Sequence, residues 1–333
     1  MKTTSDAQRD AFESKTTPGF EQIRDDVWSM GMALPSVHQP LYSFLYLLKD
    51  SDGGIHVIDT GMPVEENKER FTTALEGVGG ELGDVRSIIV THHHPDHLGI
   101  ADWMREQTGA ELLVHADEQD AIDGHRDSGM DRMIERFKEW GAPEGEAEKF
   151  AAVMDQAPRD SFALPTADRF IAEGELLPIP GFQLRAIFTP GHTPGHIVLS
   201  DADRDILFTG DHILPTQFPG VAVASNGTEK RNPLADYLHS LEVMPKDPEV
   251  LPGHGYRFRG LQGRLEETAE HHMRRAREVS AVLDVLPGAS VWEIASKLTW
   301  TAGFENLANF YLFSALMQTS MHRAYILDGG VVN

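Results

Sequence analysis

Four imidazoles and a carboxylate fall within six residues in Thr91-His92-His93-His94-Pro95-Asp96-His97, and three of the imidazoles stand with Asp96 in an H-x-H-x-D-H spacing. Neutral imidazole and carboxylate are good ligands for zinc and similar divalent ions. The H-x-H-x-D-H spacing turns neighbouring side chains to different sides of one loop, so a short segment can serve two metals. The plain alternative is a polar loop that happens to be rich in histidine. Three later segments supply what a two-metal site still lacks: Thr189-Pro190-Gly191-His192-Thr193-Pro194-Gly195-His196, Phe208-Thr209-Gly210-Asp211 and Leu251-Pro252-Gly253-His254-Gly255. Each presents His or Asp beside glycines that let the backbone turn sharply or come close.

Each of these segments follows an apolar run that reads as a strand. Ser87-Ile88-Ile89-Val90 delivers the histidine loop, Gln183-Leu184-Arg185-Ala186-Ile187-Phe188 delivers His192, Asp205-Ile206-Leu207 delivers Asp211, and Glu249-Val250 delivers His254. Ligands at strand ends are aimed by rigid elements. Residues 26–32 and 42–48 read as further strands, and residues 55–58 as another that closes on Asp59-Thr60-Gly61. Helices are expected at 64–75 and 97–107, with a strand at 111–114, and the alternation resumes after about residue 170.

Taken together, the four segments and Asp59 resemble the metallo-β-lactamase superfamily, in the branch of glyoxalase-II-like hydrolases, from about residue 59 to 254. The resemblance implies an α+β four-layer αββα sandwich. It also implies that His92, His94 and His192 hold one divalent ion, that Asp96, His97 and His254 hold a second, and that Asp211 bridges both. Asp59 matches the aspartate that braces the histidine loop; its other reading is a turn residue after a strand. His196 is expected to be a brace or a structural residue, and His93 a spacer facing away. Zinc is the expected metal, with iron and manganese compatible with the same donors. Two such ions about 3.5–4 Å apart hold a bridging hydroxide as nucleophile and polarise a carbonyl oxygen. Asp96 would orient that nucleophile and take up a proton. The expected reaction is hydrolysis of a small acyl substrate, a thioester or carboxylic ester. A lactonase, a metal-dependent ribonuclease and a mononuclear-iron persulfide dioxygenase are the alternatives, the last opposed by the complete second ligand set.

The 333 residues divide, on this reading, into a flexible extension over 1–20, a catalytic domain over 21–260 and a helical, winged-helix-like tail over 261–333 that ends in a hairpin at 325–332. A helical insertion at about 116–164 has two readings. One is a lid that offers Met130, Met133, Phe137 and Trp140 as an apolar wall; the other is a packed helical hairpin. His212 and Phe218, in the loop after Asp211, and Tyr237, on the next helix, are candidate substrate contacts. The competing readings are a solvated loop histidine and a packed helix tyrosine. Net charge is −23, from 29 basic and 52 acidic residues, which repels phosphate backbones and anionic membranes. From Leu261 onward six basic and eight acidic residues give −2, against the basic balance of a nucleic-acid-reading module. The tail is therefore expected to pack on the catalytic domain, shape the substrate entrance or form a homodimer interface. Cysteine is absent and no apolar leader or membrane span is legible, which leads to a cytoplasmic expectation.

Overall fold

The computed structural model describes residues 1–35, 41–154, 165–222 and 231–332, without the side chains of 125–130, 154 and 310. Strand β1 (Lys2–Thr3) and helix α1 (Asp6–Ser14) precede β2 (Glu21–Arg24), β3 (Val27–Ala33), β4 (Tyr42–Lys49) and β5 (Ile55–Ile58). Helix α2 (Glu65–Gly77) crosses to β6 (Val85–Ile89), followed by the one-turn α3 (Pro95–Leu98), α4 (Ala101–Thr108) and β7 (Glu111–His115). Helices α5 (Ala116–Glu139) and α6 (Glu146–Met154) leave the sheet before β8 (Arg169–Ile171) rejoins it. The second half runs β9 (Leu184–Phe188), β10 (Ile197–Asp201), β11 (Ile206–Gly210), α7 (Pro233–Glu242), β12 (Glu249–Pro252) and β13 (Phe258–Arg259). Helices α8 (Leu261–Val285), α9 (Val291–Ala295) and α10 (Asn309–Leu327) follow.

Two sheets result, one of seven strands in the order β2-β3-β4-β5-β6-β7-β8 and one of six in the order β1-β13-β12-β11-β10-β9. They stack because their strands are apolar on both faces. Along β4, Tyr42, Phe44, Tyr46 and Leu48 join Ile197, Leu199, Phe208 and Leu251 of the other sheet. The alternate residues Leu45 and Leu47 meet Phe71 and Met104 of the helices outside. The outer face of the second sheet is covered in the same way by α7 and α8, through Leu234, Tyr237, Leu241, Leu261 and Leu265. This is the αββα sandwich expected from the resemblance. The parallel pairs β5–β6 and β11–β12 lie at the middle of their sheets, so the loops at their carboxyl ends meet across the sandwich.

Three expectations need correction. The N-terminus is not a frayed extension: β1 pairs with β13, and α1 is capped by Ser5, whose Oγ accepts from Gln8 N–H at 3.1 Å. Gln8 is buried, donates to Ser29 Oγ at 3.1 Å and accepts from Arg257 N–H at 3.0 Å, so polar contacts rather than an apolar stripe fix this segment. The single helix expected at 97–107 is two, because the chain breaks between Leu98 and Ala101. No hairpin ends the chain: α10 continues to Leu327, with Met321 and Tyr325 packed on the outer-face cluster, and among the described residues after Leu261 there is no strand.

Candidate metal centre

Every candidate ligand sits just past the carboxyl end of a strand. His92, His94, Asp96 and His97 follow β6, His192 follows β9, Asp211 follows β11 and His254 follows β12. Their donor atoms form two groups, His92, His94, His192 and Asp211 in one and Asp96, His97 and His254 in the other, each with its atoms within 4.8 Å of one another. In the first group His94 Nδ1 lies 3.0 Å from His92 Nε2 and 3.1 Å from His192 Nε2. In the second, His97 Nε2 and His254 Nε2 are 3.3 Å apart. Asp211 faces both: Oδ2 lies 3.7 Å from His192 Nε2, while Oδ1 lies 3.3 Å from His254 Nε2 and 3.4 Å from His97 Nε2. Gly253 makes this approach possible, since a Cβ there would stand 2.4 Å from Asp211 Oδ1.

The outer nitrogens decide which way the lone pairs point. A carbonyl oxygen only accepts, so His192 Nδ1–H donates to Gly220 O at 2.7 Å and His254 Nδ1–H donates to Tyr42 O at 2.6 Å. His97 Nδ1–H donates to Asp59 Oδ2 at 2.8 Å. His92 Nδ1–H donates to Thr91 Oγ1 at 3.0 Å, and that hydroxyl donates to Asp59 Oδ2 at 2.9 Å. Thr91 N–H completes the set by donating to Asp59 Oδ1 at 2.8 Å. Asp59 thus anchors one histidine from each group, at a backbone φ of 58° that aspartate tolerates better than most residues. His196 accepts from Asp211 N–H at 3.2 Å through Nε2 and bonds Thr189 Oγ1 at 2.8 Å through Nδ1, so it positions Asp211 from behind.

With four of the five outer nitrogens traced to acceptors, imidazole lone pairs converge on two points flanking a carboxylate. Asp211 Oδ1 is buried and without a hydrogen-bond partner. That donor set fits two divalent cations. The metal-free electrostatics agree. Burial, reinforced by the neighbouring imidazoles, holds His92 well below the ordinary histidine range and also lowers His192. Burial pushes His254 down too, but Asp211 and Asp96 outweigh it and lift it to about 10. The same carboxylates, with Asp59, lift His97.

The other sequence candidates separate. His93 is not a spacer facing away: it is buried, and its ring and backbone N–H both bond Glu118 of α5. Burial pushes the Glu118 carboxyl up, yet the charge and hydrogen bonds of His93, with those of Thr193 and Gly195, bring it below its ordinary value. Sequence reading missed Glu118, because an acidic residue in a helix's first turn reads as complement to the helix dipole. Tyr237 and His212 are fully buried, the Tyr237 hydroxyl donates to His212 O at 2.6 Å, and neither presents a face to a substrate. Phe137 is 1% exposed, inside an aromatic cluster with Trp140, Phe150 and Phe313, and Met133 packs on the same cluster. The apolar wall expected of the insertion is turned toward the C-terminal helices; the Met130 side chain lies outside the described residues. Phe218 stays partly exposed, stacked on His271 at 4.1 Å and under the Arg264 guanidinium at 4.3 Å.

Residues 38–254 match the metallo-beta-lactamase superfamily. With the fold and the ligand geometry, this match places the class: the chain belongs to that superfamily, and its enzyme class is that of a metal-dependent hydrolase. Among its relatives is the probable metallo-hydrolase YqjP of Bacillus subtilis, 26% identical over 84% of this chain and 85% of the relative. The hydroxyacylglutathione hydrolase of Rhizobium etli is 24% identical over 87% of this chain and 93% of the relative. In structure the chain is similar to a beta-lactamase domain protein from Burkholderia ambifaria, with a TM-score of 0.75 and 25% identity over 93% of this chain and 89% of that one. It shares its fold with the family protein TTHA1429 of Thermus thermophilus, with a TM-score of 0.73 and 24% identity over 93% and 95% of the two chains.

Proposed function

We propose that the protein is a dinuclear-metal hydrolase of a small acyl substrate, a thioester or carboxylic ester, with zinc as the metal. The single observation that carries this reading is the Asp211 carboxylate, one oxygen toward each histidine group. Two divalent ions bound there supply Lewis acidity and a water nucleophile at neutral pH. His92, His94 and His192 would hold one ion and Asp96, His97 and His254 the other. Asp96 is also the acid–base residue: its side chain is 20% exposed, the most open of the seven, and its Oδ2 lies 3.3 Å from His254 Nε2. It is placed to orient a water and hold its proton while the acyl bond breaks. The full second group supports hydrolysis over mononuclear oxygen chemistry.

The names of the hydroxyacylglutathione hydrolase relatives support a thioester. The net charge of −23 opposes RNA. The loop from Asp211 to Gly220 supplies the substrate side, with Phe218 as its exposed apolar residue. Arg264 of α8 pins that loop by donating to Leu214 O at 2.8 Å and Gln217 O at 2.5 Å. The test is turnover of acyl-CoA and glutathione thioesters, esters, lactones and single-stranded RNA by metal-replete protein, with His94→Ala as control. Thioester or ester turnover abolished in the control is expected. Cleavage of RNA alone, or acyl turnover that survives in the control, would overturn the reading.

A further inference from the structure

Glu118 is a buried carboxylate outside both metal groups, 1% exposed at the start of α5. Its Oε2 accepts from His93, by the backbone N–H at 3.3 Å and by the ring. Its Oε1 accepts from Thr193 Oγ1 and from Gly195 N–H at 3.1 Å. His93 stands between the ligands His92 and His94, and Thr193 follows the ligand His192. One side chain therefore joins the two loops that supply every histidine of the first group. The approach is close: a Cβ on Gly195 would stand 2.2 Å from Glu118 N and 2.8 Å from Asp117 C, so the second loop lies directly on the first turn of α5.

We propose that Glu118 is a positioning residue for the metal centre, fixing the spacing of the His92–His94 loop against the His192 loop, and that only a carboxylate can do this. Each of its oxygens meets a backbone N–H, and an amide N–H never accepts. A glutamine has the same shape, but its NH2 would face one of those two N–H groups in either flip and leave it unpaired in a buried site. The proposal rests on the metal reading above. Braces of this kind typically change metal affinity by about 10–100-fold when removed.

The test is Glu118→Gln, with metal dissociation constants from competition with a chromogenic chelator and the visible spectrum of the cobalt-loaded protein. We expect the dissociation constant to rise by about 10–100-fold, the cobalt spectrum to shift, and kcat to fall more than KM rises. Wild-type affinity and spectrum in this isosteric variant would mean that Glu118 merely fills space, and would overturn the proposal. Should the variant not fold, Thr193→Val removes one donor and leaves Glu118 in place. A several-fold weaker first ion is then expected, and unchanged affinity overturns the proposal. Chelator competition needs no substrate, so a wild-type chain that binds two ions but hydrolyses no acyl compound sinks the substrate reading without touching this one. A wild-type chain that binds no ion sinks both.

Discussion

At the scale of single residues, the site turns on which nitrogen of each histidine carries its proton. Gly220 O, Tyr42 O and Asp59 each accept from an outer nitrogen and so leave the inner Nε2 as a lone pair. Asp59 does so for two histidines, His97 directly and His92 through Thr91. Asp59→Asn should therefore weaken metal binding by about 10–100-fold while leaving the fold intact, measured by chelator competition beside circular dichroism. Wild-type affinity would mean that the lone pairs are set elsewhere. The seven residues that the structure brings into the two groups were legible because each lies just past a strand end, in a short segment that also carries glycine or proline. The braces were legible only where a family motif marks them, as at Asp59. Glu118 had no signal, since its partners lie 25 and more positions away along the chain.

At the scale of elements, continuous apolar runs revealed the strands well, because both sheets are buried on both faces. Helix roles were harder to read, since an apolar stripe states that a face is covered but not by what. Phe137 is the instructive case: α5 carries Glu118 at one end and Phe137 at the other, and Phe137 meets Phe313 of α10 at 5.9 Å. It is a core residue joining the insertion to the tail. Phe137→Ala should cost ~3–5 kcal/mol of stability, seen in chemical denaturation, with KM unchanged. A raised KM at near-native stability would restore the lid reading. The N-terminal helix escaped sequence analysis for the opposite reason: hydrogen bonds of the buried Gln8 tie it to the sheets, with no apolar pattern to read.

At the scale of the molecule, the tail is part of the site's scaffold. Leu261 and Leu265 of α8 complete the outer layer, and Arg264 holds the loop whose Gly220 accepts from His192. Among the described residues, no helix is long and apolar enough to cross a membrane. Within the tail, His322 of α10 stacks on His272 of α8, near His271 and Arg275. Burial, with the nearby Arg275 and His271 charges, pushes His322 down to about 4 despite its bond to Gln318 O. The unfolded chain takes up that proton first, so the stability is complete above about pH 6.5 and lost as pH falls toward 4, by up to about 3 kcal/mol. His322→Leu should flatten the fall in Tm between pH 7 and pH 4.5; a parallel fall in both proteins would refute the assignment. The central claim is the carboxylate shared between two metal positions, and metal content per chain tests it most directly. Dialysed wild-type protein should hold two ions per chain by elemental analysis, and Asp211→Ala, still folded, should hold fewer than one. A wild-type chain with a single ion, or an Asp211→Ala chain that keeps both, would contradict it.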